Sequence, residues 1–167
     1  MFVPADVYAV VATLLGLFLT GYALIFALGL LFQGRVDQIS HEIESRPTKM
    51  GMKGALLGVT SLMVFLLIAQ VPLPLLKLVG SIGVMIVLVL ALMGWSAIAR
   101  IMSRRLTDMD PGMGAQTAWS RAVFMLVGSS LFPLVGWMLI APALSFVGFG
   151  AAVSVLLQRK AVTAPLS

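Results

Sequence analysis

The chain has 167 residues, 60% of them hydrophobic and 10% charged, with a mean hydropathy of +1.10. A soluble domain carries about 25% charged residues, so a water-soluble globule is excluded and the surrounding solvent must itself be apolar. The net charge of +5 is spread over the ends of apolar segments, which excludes the one-sided basic footprint of a nucleic-acid binder, and the lack of cysteine excludes disulfides, thiolate metal sites and redox dithiols.

The start, Met1-Phe2-Val3-Pro4-Ala5-Asp6, has no basic n-region and leads into an apolar run too long for a signal core, so no cleavable signal peptide is expected. A membrane helix needs about 20 mostly apolar residues to cross ~30 Å of hydrocarbon. The uncharged stretch 7–32 is a first span. The segment 33–53 is polar and helical in its first half, with Val36, Ile39 and Ile43 recurring at i, i+3 and i+7. Glu42 with Arg46, and Asp37 with His41, have the i,i+4 spacing of local charge pairs, and Pro47 ends the helix. This amphipathic segment suits a helix that docks a partner or lies on the membrane surface; the plainer reading is that the first span continues past the interface.

A second span is expected at 54–70, starting earlier if Lys53 snorkels. Pro72 and Pro74 then force a tight turn between antiparallel helices, and 78–99 gives a third span. The loop 100–115 holds Arg104, Arg105 and the turn-forming Asp108-Met109-Asp110-Pro111-Gly112-Met113-Gly114. Its alternating aspartates lack the closing glutamate of a calcium loop. The run from Ala122 to Leu157 is too long for one span. It predicts a hairpin with arms at 116–131 and 136–157 and a turn near 129–136, with Ser129 and Ser130 as N-caps, Pro133 in the following first turn and a kink at Pro142. A hairpin that only partly crosses is the alternative. The tail 161–167 reads as unstructured.

These segments predict an all-α, polytopic helical bundle forming one integral membrane domain of about five spans. With the N-terminus outside and the C-terminus cytoplasmic, every basic residue except Lys77 falls on the inner side, as the positive-inside rule asks. Tyr8, Trp95, Trp119 and Trp137 fall at headgroup depths, whereas Tyr22 lies mid-span and needs a helix partner for its hydroxyl.

Chemistry is sparse. No Asp, Glu, His, Lys or Arg lies within the hydrophobic stretch of a span, since Lys53, Lys77, Arg100 and Arg121 all fall at ends within snorkelling reach, which disfavours a proton relay or cation pump. His41, the one histidine, sits on the polar helix and reads as a surface residue. No catalytic, cofactor or metal residues are expected. What the spans do carry is small residues: Gly51, Gly54 and Gly58 on one face, Gly16-xxx-Thr20, Gly80 with Gly83, and Gly150-xxx-Ser154, the patterns that let membrane helices approach closely. Gly51, Gly54 and Gly58 are the first candidates for a helix–helix or subunit interface, with Val36, Ile39 and Ile43 the second.

The stretch from Arg46-Pro47 to Gln158-Arg159 combines an Arg-Pro before a glycine-rich span, a proline hairpin, a second basic loop, Phe132-Pro133-Leu134-Val135-Gly136-Trp137, and then Gly148 and Gly150. This pattern resembles the membrane region attached to some bactofilin-like, polymer-forming proteins of bacterial inner membranes. The resemblance implies a bacterial cytoplasmic membrane and, at most, an anchoring role in a cytoskeletal or envelope assembly; it carries over no functional residue. The expected function is that of a non-catalytic accessory subunit of a larger membrane complex, with electron-transport and photosynthetic assemblies as candidate settings. Its partners would be the lipid bilayer and other membrane-protein subunits, with pigment or lipid between helices and no nucleic acid. The alternative is a small transporter or channel for a neutral or lipid-like solute.

Overall fold

The computed structural model describes residues 4–132 and 134–162, with side chains over 6–132 and 134–157. The expected role of Pro133, the start 1–3 and most of the expected tail lie outside the described residues. Six α-helices follow one another: α1 Pro4–Leu31, α2 Gln33–Ser45, α3 Pro47–Gln70, α4 Pro74–Met109, α5 Ala115–Ser130 and α6 Ala141–Val162, the last preceded by a π-helical turn, Gly136–Ile140. The described residues contain no strand. Four stretches are long and apolar enough to cross a membrane: Asp6–Leu31, Pro47–Gln70, Pro74–Met109 and Gly136–Leu157. The protein is an all-helical, membrane-embedded chain. α5 has 16 residues, a length of ~24 Å that falls short of the hydrocarbon core.

The helix boundaries have local causes. α1 passes into α2 through Phe32, whose φ of −117° and ψ of 37° bend the chain, while its carbonyl still accepts from the N–H groups of Arg35 and Val36 at 3.0 and 2.9 Å. The bend separates an all-apolar helix from one with a single apolar stripe. Pro47 ends α2 and starts α3 as its first helical residue, where a missing N–H costs nothing. Val71 and Leu73, each before a proline, take the extended ψ of 132° and 121° that the proline ring imposes, and Pro74 opens α4.

Three expectations need correction. Residues 100–109, expected in a loop, continue α4, which has 36 residues and reaches ~54 Å. Ala97 and Ile101 keep a buried stripe running through the charged stretch, so the helix goes on although the hydropathy does not. The turn proper is Asp110–Gly114, where the Asp110 carboxylate accepts from the Gly112 N–H at 3.2 Å. Likewise α3 begins at Pro47 rather than 54. Finally, Ser129 and Ser130 do not cap a new helix: they close α5, donating back to the carbonyls of Leu126 and Val127 at 2.9 and 2.7 Å, a habit of serine within apolar helices. Just ahead of Pro142, whose nitrogen has no hydrogen to give, the backbone widens into the π-helical turn.

α4 is the central element, packing against α1, α2, α3, α5 and α6, whereas α1 and α3 share no substantial contact. Two cores result. One joins Val36, Ile39 and Ile43 of α2 with Met50 of α3, Met93, Ala97 and Ile101 of α4, and Ala151 and Ala152 of α6. The other joins Ile25 of α1 with Ala99 of α4 and Trp119, Val123, Leu126 and Val127 of α5. Beyond them, towards Lys77, the α3–α4 pair continues alone, with Gly83 against the Phe65 ring and Gly80 against the Ala69 backbone.

Candidate helix interface and the charged end of the bundle

The glycine face of α3 lies on α6. A methyl group at Gly54 would collide with the Phe146 carbonyl and come within 2.8 Å of the Gly150 nitrogen, one at Gly51 would reach the Val147 side chain at 3.4 Å, and one at Gly58 the Phe149 ring at 3.2 Å. Gly54 therefore admits no side chain at all, while Gly51 and Gly58 mark looser flanks of the same crossing. A second crossing joins Gly94 of α4 to Gly148 of α6, backbone against backbone. Gly148 has Ala152 four residues on, but the residues four away from Gly94 are Leu90 and Ile98, so no small-xxx-small spacing marks Gly94 as a partner. Trp95 donates its indole N–H to Ser145 at 3.1 Å beside it. All these contacts fall in the first half of α3 and the second half of α4, so α6 lies across the charged end of the pair.

Val36, Ile39 and Ile43 are 0%, 2% and 7% exposed. Their stripe is turned into the bundle of this same chain, against α4 and α6. Ser40, fully buried with them, returns its hydroxyl to the Asp37 carbonyl at 2.7 Å, so the one polar group in the buried stripe is satisfied locally.

Charges gather at this end, and they pair across helices. The Asp37 carboxylate accepts from Arg100 Nε and from Arg104 Nη2. Arg104 also lies 3.8 Å from Glu44, which in turn lies 3.9 Å from His41. The local i,i+4 pairs expected for Asp37–His41 and Glu42–Arg46 do not form among the described residues: α4 presents arginines that bond Asp37 more directly than a histidine on its own helix. Arg100 further spans to α5, its guanidinium 5.4 Å from the centre of the Trp119 ring. The cation and the ring face attract. Trp119 is 3% exposed and its indole N–H has no acceptor among the described residues. It also fills the notch left by Gly29 of α1, where a methyl group would meet the ring.

Mid-span polar groups find partners. The Tyr22 hydroxyl and Ser120 Oγ are 2.8 Å apart, which joins α1 to α5. Ser96 Oγ, fully buried, donates to the Ile25 carbonyl of α1 at 3.0 Å. Among the described residues no group of three or more acidic or histidine side chains could hold a metal ion. No family model, curated protein or solved structure matches the chain.

Proposed function

We propose that this chain is a non-catalytic accessory subunit of a larger membrane-embedded complex, docking a partner helix on the outward face of α1. One observation carries this reading. The small-residue faces at Gly54, Gly80, Gly83 and Gly150 are each occupied within the chain, but nothing lies within 4 Å of a methyl group built at Gly16. Gly16 and Thr20 are both exposed and form a small-xxx-small face of the kind membrane helices use for close association. Only 11% of the apolar window of α1 is buried, as little as for α3, but on α3 the small-residue face is already covered by α6, whereas the one on α1 has room beside it for a whole helix.

The topology that fits best has the N-terminus outside, the C-terminus cytoplasmic, and α1, α3 and α4 crossing fully. The short α5 and the placement of α6 at the charged end support a hairpin that crosses only partly, although Gly136–Leu157 is by itself long enough to span. This arrangement keeps every basic residue except Lys77 on the inner side, and it suits a bacterial cytoplasmic membrane.

The deciding experiment is mild-detergent purification from the native membrane, with mass spectrometry of whatever co-migrates. Stoichiometric partners that disappear in the Gly16→Leu, Thr20→Leu variant establish the subunit reading. Recovery of the chain alone, with solute flux in proteoliposomes, replaces it with a small transporter for a neutral or lipid-like solute. Partners that include a polymer-forming scaffold protein and survive the double variant move it to the membrane-anchor role that the resemblance implies.

A further inference from the structure

At the charged end, α4 and α6 leave a groove of about 630 Å³ floored by Ile98, Ile101, Met102, Leu144 and Val147, with Arg105 at its mouth. That volume lies within the ~300–1,000 Å³ of sites that enclose small organic ligands. Of the three arginines on this stretch of α4, Arg100 and Arg104 are engaged by Asp37, and Arg104 also by Glu44. Arg105 is exposed and makes no ion pair among the described residues. Glu44 borders the groove, but with its neighbours the cluster sets three guanidinium groups, Arg100, Arg104 and Arg105, against two carboxylates, Asp37 and Glu44, which leaves this end net positive. Arg46, Lys49 and Lys53 follow on the adjoining chain.

Depth matches chemistry. If Arg100 marks the hydrocarbon edge, Arg105 lies five residues further, ~7.5 Å along the helix axis, at the outer side of the headgroup layer, which adds roughly 5–7.5 Å on each side of the core. The apolar floor at Ile98 then faces acyl chains while the guanidinium faces phosphate. From this we infer that the groove is a site for an anionic phospholipid, one acyl chain lying on the floor and the headgroup phosphate held by Arg105. The site rests on the membrane embedding of the chain but not on the subunit reading, and it survives if no protein partner is found.

The test is native mass spectrometry of the purified chain in detergent with phosphatidylglycerol or phosphatidylcholine of matched acyl length. Preferential phosphatidylglycerol adducts are expected. Arg105→Gln should lower phosphatidylglycerol affinity about five-fold, the effect of one surface cation near an anionic lipid, and lower phosphatidylcholine affinity less, because the choline cation offsets that lipid's phosphate charge. Arg121→Gln, which removes the same charge from an exposed position away from the groove, should change neither. Ala143→Trp places an indole in the groove from an exposed position and should abolish the adduct; Met102→Trp repeats the test if circular dichroism shows the first variant unfolded. Equal binding of the two lipids, equal effects of Arg105→Gln and Arg121→Gln, or a phosphatidylglycerol adduct that persists when the groove is filled would overturn the inference. So would a dimer that Ala143→Trp converts to monomer, since a second copy would then be the occupant.

Discussion

Asp37 on α2 accepts hydrogen bonds from two guanidinium groups one turn apart on α4, from Arg100 Nε at 3.2 Å and from Arg104 Nη2 at 2.9 Å. A single carboxylate thus ties the amphipathic helix to the central one, and through Arg100 stacked on Trp119 the tie extends to α5. The Asp37 side chain is 39% exposed and Arg100 25%, so water screens the attraction and the clasp fixes geometry more than it adds energy.

Removing the carboxylate charge should therefore have a modest, salt-sensitive effect. Asp37→Asn is expected to lower stability by about 0.5–1 kcal/mol at low ionic strength. The gap should close in ~1 M salt, where the screening length falls to about 3 Å. Thermal unfolding in detergent, followed by circular dichroism at the two salt concentrations, checks this. A loss that does not shrink with salt would mean that Asp37 acts through packing instead.

The glycines should divide sharply by what faces them. Gly54→Ala drives a methyl into the Phe146 backbone, which cannot rotate away, and an overpacking loss of about 1–3 kcal/mol is expected. Gly58→Ala meets only the Phe149 ring, at 3.2 Å, and should cost less. Gly16→Ala meets nothing and should be neutral or stabilising by up to about 1 kcal/mol, the helix-propensity difference. The ranking of the three melting temperatures is the readout, and a Gly54→Ala variant as stable as Gly16→Ala contradicts the close crossing.

Trp119 offers a paired test of size against polarity. Its ring fills the notch at Gly29, but its indole N–H has no acceptor among the described residues. Trp119→Phe gives up volume while removing an unsatisfied donor, so the expected loss is under about 1.5 kcal/mol. Trp119→Ala leaves a cavity and should cost roughly 3–5 kcal/mol. Comparable losses for the two variants would show that the N–H has a partner after all.

Tyr22→Phe deletes one side of the Tyr22–Ser120 bond and keeps the ring between Phe18 and Phe26. Interhelical hydrogen bonds in membranes average about 0.6 kcal/mol, and a loss of that order is expected. In a double-mutant cycle with Ser120→Ala the coupling energy should match it; zero coupling means that the hydroxyls do not bond each other.

Much of the fold was legible in the sequence because the solvent decides it. Apolar length located the helices, and Pro47, Pro72 and Pro74 located the breaks, since proline acts through its own covalent geometry. Tyr22, mid-span and polar, announced a partner. Hydropathy was silent on where α4 ends, because a helix can leave the membrane and keep its backbone ladder; a buried stripe runs on through Ala97, Ile101 and Ser103, and the partly exposed last turn to Met109 follows it. Of the candidate site, Gly54 was visible from its spacing with Gly58, but not whether the covering helix belongs to this chain or another, since both would present the same glycines. The pairing of Asp37 with Arg100 and Arg104 joins residues more than sixty positions apart, which no local spacing rule reaches.

The central position of α4 also sets the order of assembly. During synthesis α1 and α3 enter the bilayer before α4, and these two share almost nothing to hold each other by. Joined only through thin contacts with α2, they gain a shared surface when α4 arrives. Before Pro74 the chain can form only the thin contacts of α2 with α1 and α3, so most of its tertiary structure waits for the third long helix.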